Sequence, residues 1–227
     1  MGKNKLARFE ENRILPNVIQ PTRAEALDNF HLKGKWRSEI FKNENPIVVE
    51  LGCGKGEYSV GLAKAFPEKN FIGIDIKGAR FWFGAKEATE KNMKNVAFLR
   101  TQIELLDCFF EENEVDEIWI TFPDPQIKYR RTKHRMTHPD FLERYRKVLK
   151  PEGIVHLKTD SEFLHGYTLG ILQGSGHEIL TAHHDIYGAP EYEPNTVHLR
   201  EIKTYYEELF SSKGKTITYI KFRFRPD

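Results

Sequence analysis

The chain has 227 residues, and its 35 lysines and arginines against 33 aspartates and glutamates leave a formal charge of +2. That length suffices for one large α/β domain with a buried core, and so balanced a charge points to no partner by itself. Two cysteines, Cys53 and Cys108, exclude a disulfide framework and predict a reducing, cytoplasmic compartment, and no apolar run reaches the ~18 residues of a membrane span.

The opening "MGKNKLARFEENR" is basic and polar with no apolar stretch, so it predicts no signal peptide. It reads as a basic arm or as a solvated tail. Residues 1–45 show no sheet pattern and are expected to flank the core as an arm, with the main domain over 46–227. From residue 46 short apolar runs alternate with helical periods. "PIVVEL" (46–51), "NFIGIDI" (70–76), "VAFLR" (96–100), "VDEIWITF" (115–122) and "IVHLKT" (154–159) predict strands. Between them "YSVGLAKAF" (58–66), "ARFWFGAKEATEKN" (79–92) and "IELLDCFF" (103–110) predict helices. A further helix is predicted from Pro139, with Phe141, Leu142, Tyr145, Val148 and Leu149 on one face, ended by Pro151 and Gly153. This alternation implies a parallel sheet covered by helices on both faces. The last third differs. Two strand-like runs (177–186 and 215–224) flank a helix (201–210), which predicts an antiparallel addition at one edge of the sheet.

"VVELGCGKGEY" sets Gly52, Gly54 and Gly56 directly after the first of these strands. Glycine there allows a tight turn and a close approach of backbone to ligand. Asp75, ending the next strand, suits the two hydroxyls of a ribose. Dinucleotide folds share both features with the fold that binds S-adenosylmethionine. The dinucleotide fingerprint requires G-x-G-x-x-G, and Glu57 stands where its last glycine would be. Glu50 would put negative charge beside a pyrophosphate but tolerates the cationic methionine end of S-adenosylmethionine. Cys53 reads as a small filler, and no metal is implied.

The fourth strand runs into Phe122-Pro123-Asp124-Pro125, then into Lys128, Arg130, Arg131, Lys133 and Arg135. The two prolines restrict Asp124 to extended conformations and hold its carboxylate still. In open α/β sheets ligands bind beyond the carboxyl ends of strands, where this acid lies. A basic run is by itself most simply a solvated face. Beside a positioned acid and a cofactor loop it has the composition of a phosphate contact, with Tyr129 available to stack. Asp160 ends the fifth strand on the same edge, where its carboxylate could accept from a ligand's N–H donors or cap a helix. Adjacent His183 and His184 point to opposite faces of a strand and read as structural or surface residues and not as a metal pair.

"ELGCGKG", "FPDP" followed by a basic run, "LKTD" (157–160) and "TYYE" (204–207) occur in that order. Together they resemble the bacterial tRNA (guanine-N7-)-methyltransferase family over nearly the whole chain. The resemblance implies a doubly wound, mostly parallel seven-stranded sheet of the S-adenosylmethionine-dependent methyltransferase (Rossmann-like) type. It implies methyl transfer to a guanine of the tRNA variable loop, with S-adenosylmethionine as cofactor and tRNA as partner. It assigns Glu50, Gly52, Gly54, Gly56, Asp75, Gln102 and Asp124 to the cofactor, with Asp124 also catalytic. Lys128, Asp160, Thr204 and Glu207 would contact substrate, and Arg130, Arg131, Lys133 and Arg135 would contact RNA. Two positions depart from the family pattern: Gln126 replaces the usual tryptophan and Gln102 the usual acid, whose amide can still both donate and accept. No membrane and no metal are expected, and the chain would be a monomer or a homodimer. A small-molecule methyltransferase would have no need of the basic run. An inactive RNA-binding relative would not bind S-adenosylmethionine.

Overall fold

The computed structural model of the protein describes residues 3–188 and 197–226. Its centre is β2 (Ile47–Leu51) and β3 (Asn70–Ile74), buried at every position because helices cover both faces of the sheet. They pair in parallel with each other, β3 pairs with β4 (Val96–Leu99), and β2 pairs with β5 (Val115–Thr121), which pairs with β6 (Leu149–Thr159). β8 (Thr218–Arg223) lies antiparallel to both β6 and β7 (Glu178–His183). The order β1-β4-β3-β2-β5-β6-β8-β7 makes eight strands, one more than the motif resemblance implies. The addition is β1, two residues (Val18–Ile19) paired in parallel with β4 and too short for any periodicity to announce.

Strand order reverses between β2 and β5, the crevice where such sheets bind ligands. On one face α3 (Glu57–Ala65) and α4 (Gly78–Glu90) pack on Val48, Phe71, Phe98 and Trp119. On the other, α5 (Leu106–Phe109), α6 (Pro139–Val148) and α7 (Glu162–Gly174) pack on Ile47, Val49, Leu51 and Ile120. The predicted face of α6 is the buried one, and Pro139 opens the helix behind His138. The helix stops at its Leu149 cap, two residues before Pro151, and β6 follows directly with a bulge over residues 150–153 where the ladder jumps from Val115↔Leu149 to Glu117↔Ile154. α7 was not predicted, although Ser161 caps it. The predicted helix over 201–210 is two short ones, α8 (Val197–Glu201) and α9 (Tyr205–Ser211), split where Thr204 caps the second.

Residues 1–45 do not simply flank the core as expected. Phe30, Leu32, Trp36 and Phe41 are buried in the main cluster, with Trp36 stacked on Phe110 in a π-helical turn, Trp36–Phe41. α2 (Arg23–Leu27) is closed by a Thr22–Glu25 capping box. α1 (Lys3–Glu11) docks on α4. Its Arg8 lies over the rings of Trp82 and Phe83, and Glu11 accepts the Trp82 indole hydrogen bond at 2.7 Å.

Candidate active site

A cleft of about 590 Å³ opens at the carboxyl ends of β2, β3, β5 and β6. Its floor is the glycine loop. Gly52 and Cys53 donate backbone N–H groups to the Ile74 carbonyl at 2.8 and 2.9 Å, which folds the loop over the end of β3. Gly54 has φ of +57°, and the nearest atom to where its Cβ would sit is the Gly52 carbonyl oxygen at 4.0 Å, so a side chain there would project into the cleft. Gly56 has φ of +78° for a different reason: a Cβ would lie 2.5 Å from the Phe98 ring, and this contact seats α3 against β4. Asp75 accepts from the amides of Gly54 (3.1 Å) and Lys77 (2.8 Å), and it stands on the cleft wall.

The opposite wall is the loop after β5. Asp124 is exposed, and its Oδ1 accepts from the Gln126 amide at 3.0 Å. Phe122 (φ +47°) and Gln126 (φ +46°) are both left-handed, strain that bulky residues keep only where surroundings impose it. A second groove of about 570 Å³ begins on the far side of Asp124 and Pro125 and is lined by Lys128, Arg130 and Arg131. Tyr129–His134 form a 3-10 helix that holds Arg130, Arg131 and Lys133 in solvent, and Tyr129 is 92% exposed.

Asp160 and the Thr204–Tyr206 turn close the cleft beside β6. Asp160 is paired with Lys215 at 2.8 Å. The Thr204 hydroxyl accepts the Glu207 amide at 3.1 Å, and Tyr205 and Tyr206 stay partly exposed on the cleft wall.

Besides Gly56, which is buried against Phe98, four expected site residues lie elsewhere. Glu50 is buried beneath the loop on the α3 side, where it accepts from the Ser59 amide (2.8 Å), the Ser59 hydroxyl and the Thr121 hydroxyl (2.6 Å). Burial pushes its carboxyl up to about 7. It ties β2 to α3 and β5, and the cleft wall does not include it. Gln102 is turned to the surface, where its amide oxygen accepts from Arg23 at 3.2 Å. Glu207 is wholly buried and bound to the Lys158 ammonium at 2.8 Å and the Tyr187 hydroxyl at 2.6 Å, so it offers the cleft no carboxylate. Arg135 departs from the rest of the basic run: it is 6% exposed, out of reach of a phosphate.

Lys158 holds the Thr204–Tyr206 wall of the cleft in place from beneath. Its ammonium is buried, donates to the carbonyls of Leu199 and Ile202 as well as to Glu207, and so staples α8 and α9 to β6. Burial outweighs the attraction of Glu207 and lowers its pKa to about 8. A lysine inside an apolar strand is itself a signal, since lysine is almost never buried without a partner.

A glycine cradle open to the cleft, a carboxylate on its rim and a strand-order reversal beneath them fit S-adenosylmethionine. A dinucleotide fold shares them, and comparison with known proteins assigns the chain to the Rossmann-like methyltransferases. Solved structures share this fold. The 16S rRNA methyltransferase KamB superposes with a TM-score of 0.63 at 12% identity, covering 83% of this chain and 92% of that one. A 16S rRNA (adenine(1408)-N(1))-methyltransferase from Catenulisporales acidiphilia, solved with its cosubstrate SAM, gives 0.59 at 17% identity, covering 85% and 91%. A family described as "Putative methyltransferase" matches residues 44–220. The tRNA (guanine-N(7)-)-methyltransferase of Christiangramia forsetii is 65% identical over 99% of both chains, and that of Bacteroides fragilis is 51% identical over 98% of this chain and 86% of its own. The chain belongs to the tRNA (guanine-N(7)-)-methyltransferase family.

Proposed function

We propose that the protein methylates guanine N7 in tRNA, in the variable loop, with S-adenosylmethionine as methyl donor. The observation that carries this reading is the shared wall: Asp124 and Pro125 line both the glycine-loop cleft and the cation-lined groove. A base entering the cleft would pass the carboxylate while its backbone stays with Lys128, Arg130 and Arg131. S-adenosylmethionine, when bound, supplies an electrophilic methyl group on a sulfonium. The backbone of Gly52 and Gly54 leaves room for it, and Asp75 has the acceptor capacity for ribose hydroxyls.

Guanine N7 has a free lone pair and no proton, so no base is needed to create the nucleophile. The protein's work is alignment and favouring the positive charge that develops on the ring. The Asp124 carboxylate supplies the negative charge that opposes it. Asp160 can accept from the N1 and N2 hydrogens of guanine, which requires an exchange with Lys215, its present partner. Glu207 acts through its buried pair by fixing the turn that brings Thr204, Tyr205 and Tyr206 to the cleft. The cations of the 3-10 helix hold the polyanion.

The test is incubation with labelled S-adenosylmethionine and bulk tRNA lacking its native methylation, followed by nucleoside mapping. Label on N7 of a variable-loop guanine is expected. Label on another atom or another loop would refute the assignment, and cofactor binding without transfer would indicate an inactive RNA-binding relative.

A further inference from the structure

Arg135 belongs by sequence to a run of five cations, four of which lie in solvent. It does not share their environment. Its guanidinium lies 4.7 Å from the Phe163 ring centroid and 4.5 Å from that of Tyr167, both on α7. Its Nε donates to the Gln126 carbonyl at 3.2 Å and its Nη2 to the Ile127 carbonyl at 3.4 Å. Those carbonyls follow directly on Asp124-Pro125. Gln126 is the left-handed residue whose amide holds the Asp124 carboxylate. The backbone of Arg135 is fixed too, since its amide donates to the Thr132 carbonyl and its carbonyl accepts from His138.

A planar cation between two aromatic faces is worth more when desolvated, and its fork of donors meets two consecutive carbonyls at once. We infer that Arg135 is a positioning residue. It takes no part in gripping RNA and instead fastens the strained 122–127 loop to α7, so that Asp124 is presented at a fixed place between cleft and groove. This rests on the methyl-transfer reading above, because what the clamp positions is the Asp124 carboxylate of that reading. A phosphate ligand and a loop clamp make opposite demands on the same side chain. The first needs only an accessible positive charge, and lysine supplies it. The second needs the stacked plane and the two-pronged donor, and lysine supplies neither.

The experiment compares Arg135→Lys and Arg135→Met with Arg130→Ala, using the wild-type rate as reference. tRNA affinity is measured against salt concentration, and the single-turnover methylation rate is measured with cofactor and tRNA both saturating. Both Arg135 variants are expected to lose roughly 10–100-fold in rate, as for a misplaced reacting group. Their slope of log affinity against log salt stays at the wild-type value. Hydrogen exchange at the Gln126 amide should speed up in both. Arg130→Ala should instead make that slope shallower by about one. Circular dichroism identifies any variant that fails to fold, and Arg135→Lys, keeping charge and most of the volume, guards against that outcome. A shallower slope in Arg135→Met with full rescue by lysine would make Arg135 a phosphate ligand and overturn the inference. Wild-type rates in both folded variants would overturn it as well. A wild-type protein that transfers no methyl group would refute the functional reading, and the exchange rate at Gln126 would still decide whether the clamp exists.

Discussion

Lys158→Met removes a cation that is paired with a fully buried carboxylate, Glu207. In the wild type the Lys158 ammonium meets Glu207 at 2.8 Å with neither side chain exposed, and it also bonds the carbonyls of Leu199 and Ile202. Methionine fills the space but leaves the Glu207 carboxylate desolvated without its ammonium, while the Tyr187 hydroxyl still donates to it. Breaking a buried pair from one side costs about 3–5 kcal/mol, a large part of the ~5–15 kcal/mol that holds a domain folded. At this chain length the loss corresponds to a fall of roughly 6–20 °C in Tm. Lys158→Met/Glu207→Leu leaves no stranded charge and should recover at least half of the loss. The pH dependence gives an independent check. The Lys158 pKa is lowered from 10.5 to about 8, so its contribution is present above 10.5 and is lost as pH falls through about 8. Between those values the stability of the wild type should gain a component that rises with pH, and Lys158→Met should lack it. Urea unfolding at pH 7 and at several points up to pH 10 measures both effects. A loss under about 1 kcal/mol at pH 7, or a double variant as unstable as the sum of the two singles, would refute the reasoning. Either would mean that the pair is solvated and does not hold the Thr204–Tyr206 turn.

Asp75→Ala should weaken S-adenosylmethionine binding by roughly 1.5–3 kcal/mol in calorimetry, the usual range for hydrogen bonds to a charged group; unchanged affinity would place the ribose elsewhere. Neutralising Arg130, Arg131 and Lys133 together should make the log–log salt slope of tRNA binding shallower by roughly 2–3, with cofactor affinity untouched, and an unchanged slope would make the run a solvated face only. Asp124→Asn keeps the shape of the loop but removes the charge facing the base. Single-turnover methylation should fall about 10²–10³-fold with both ligands saturating, and a near wild-type rate would leave the Pro-Asp-Pro turn a structural role alone.

The seven longer strands were legible because buried strands read as short apolar runs, and the helices between the first five of them because each carries one apolar face. The position of Gly52, Gly54, Asp75 and Asp124 on one cleft was legible because each stands at a strand end of an open sheet. The failures share a physical cause. Glu207 and Gln102 are polar residues near the cleft in sequence, and what decides their roles is a partner far along the chain: Lys158 for one, Arg23 for the other. Arg135 looks like its neighbours because a charge run is uniform when read as composition. The rings that remove it from solvent belong to α7, a helix that was not predicted and that has two glycines, Gly166 and Gly170, within it. Missing that helix concealed the clamp as well.

The place of β8 between β6 and β7 has a consequence for the order in which the molecule can be completed. β7 is made first and has no neighbour in the sheet until β8 has been synthesised and threaded beside it. The intervening chain includes Thr204, Tyr205 and Tyr206. During synthesis the parallel part of the sheet and the glycine loop can therefore assemble while the Thr204–Tyr206 wall of the cleft is still unanchored. Pairing over such sequence separations is slow, because the loop must close before the contacts repay it. The nascent chain passes through a stage with β6 as an open edge, and that edge is the point at which a growing or heated molecule is most exposed to pairing with another copy.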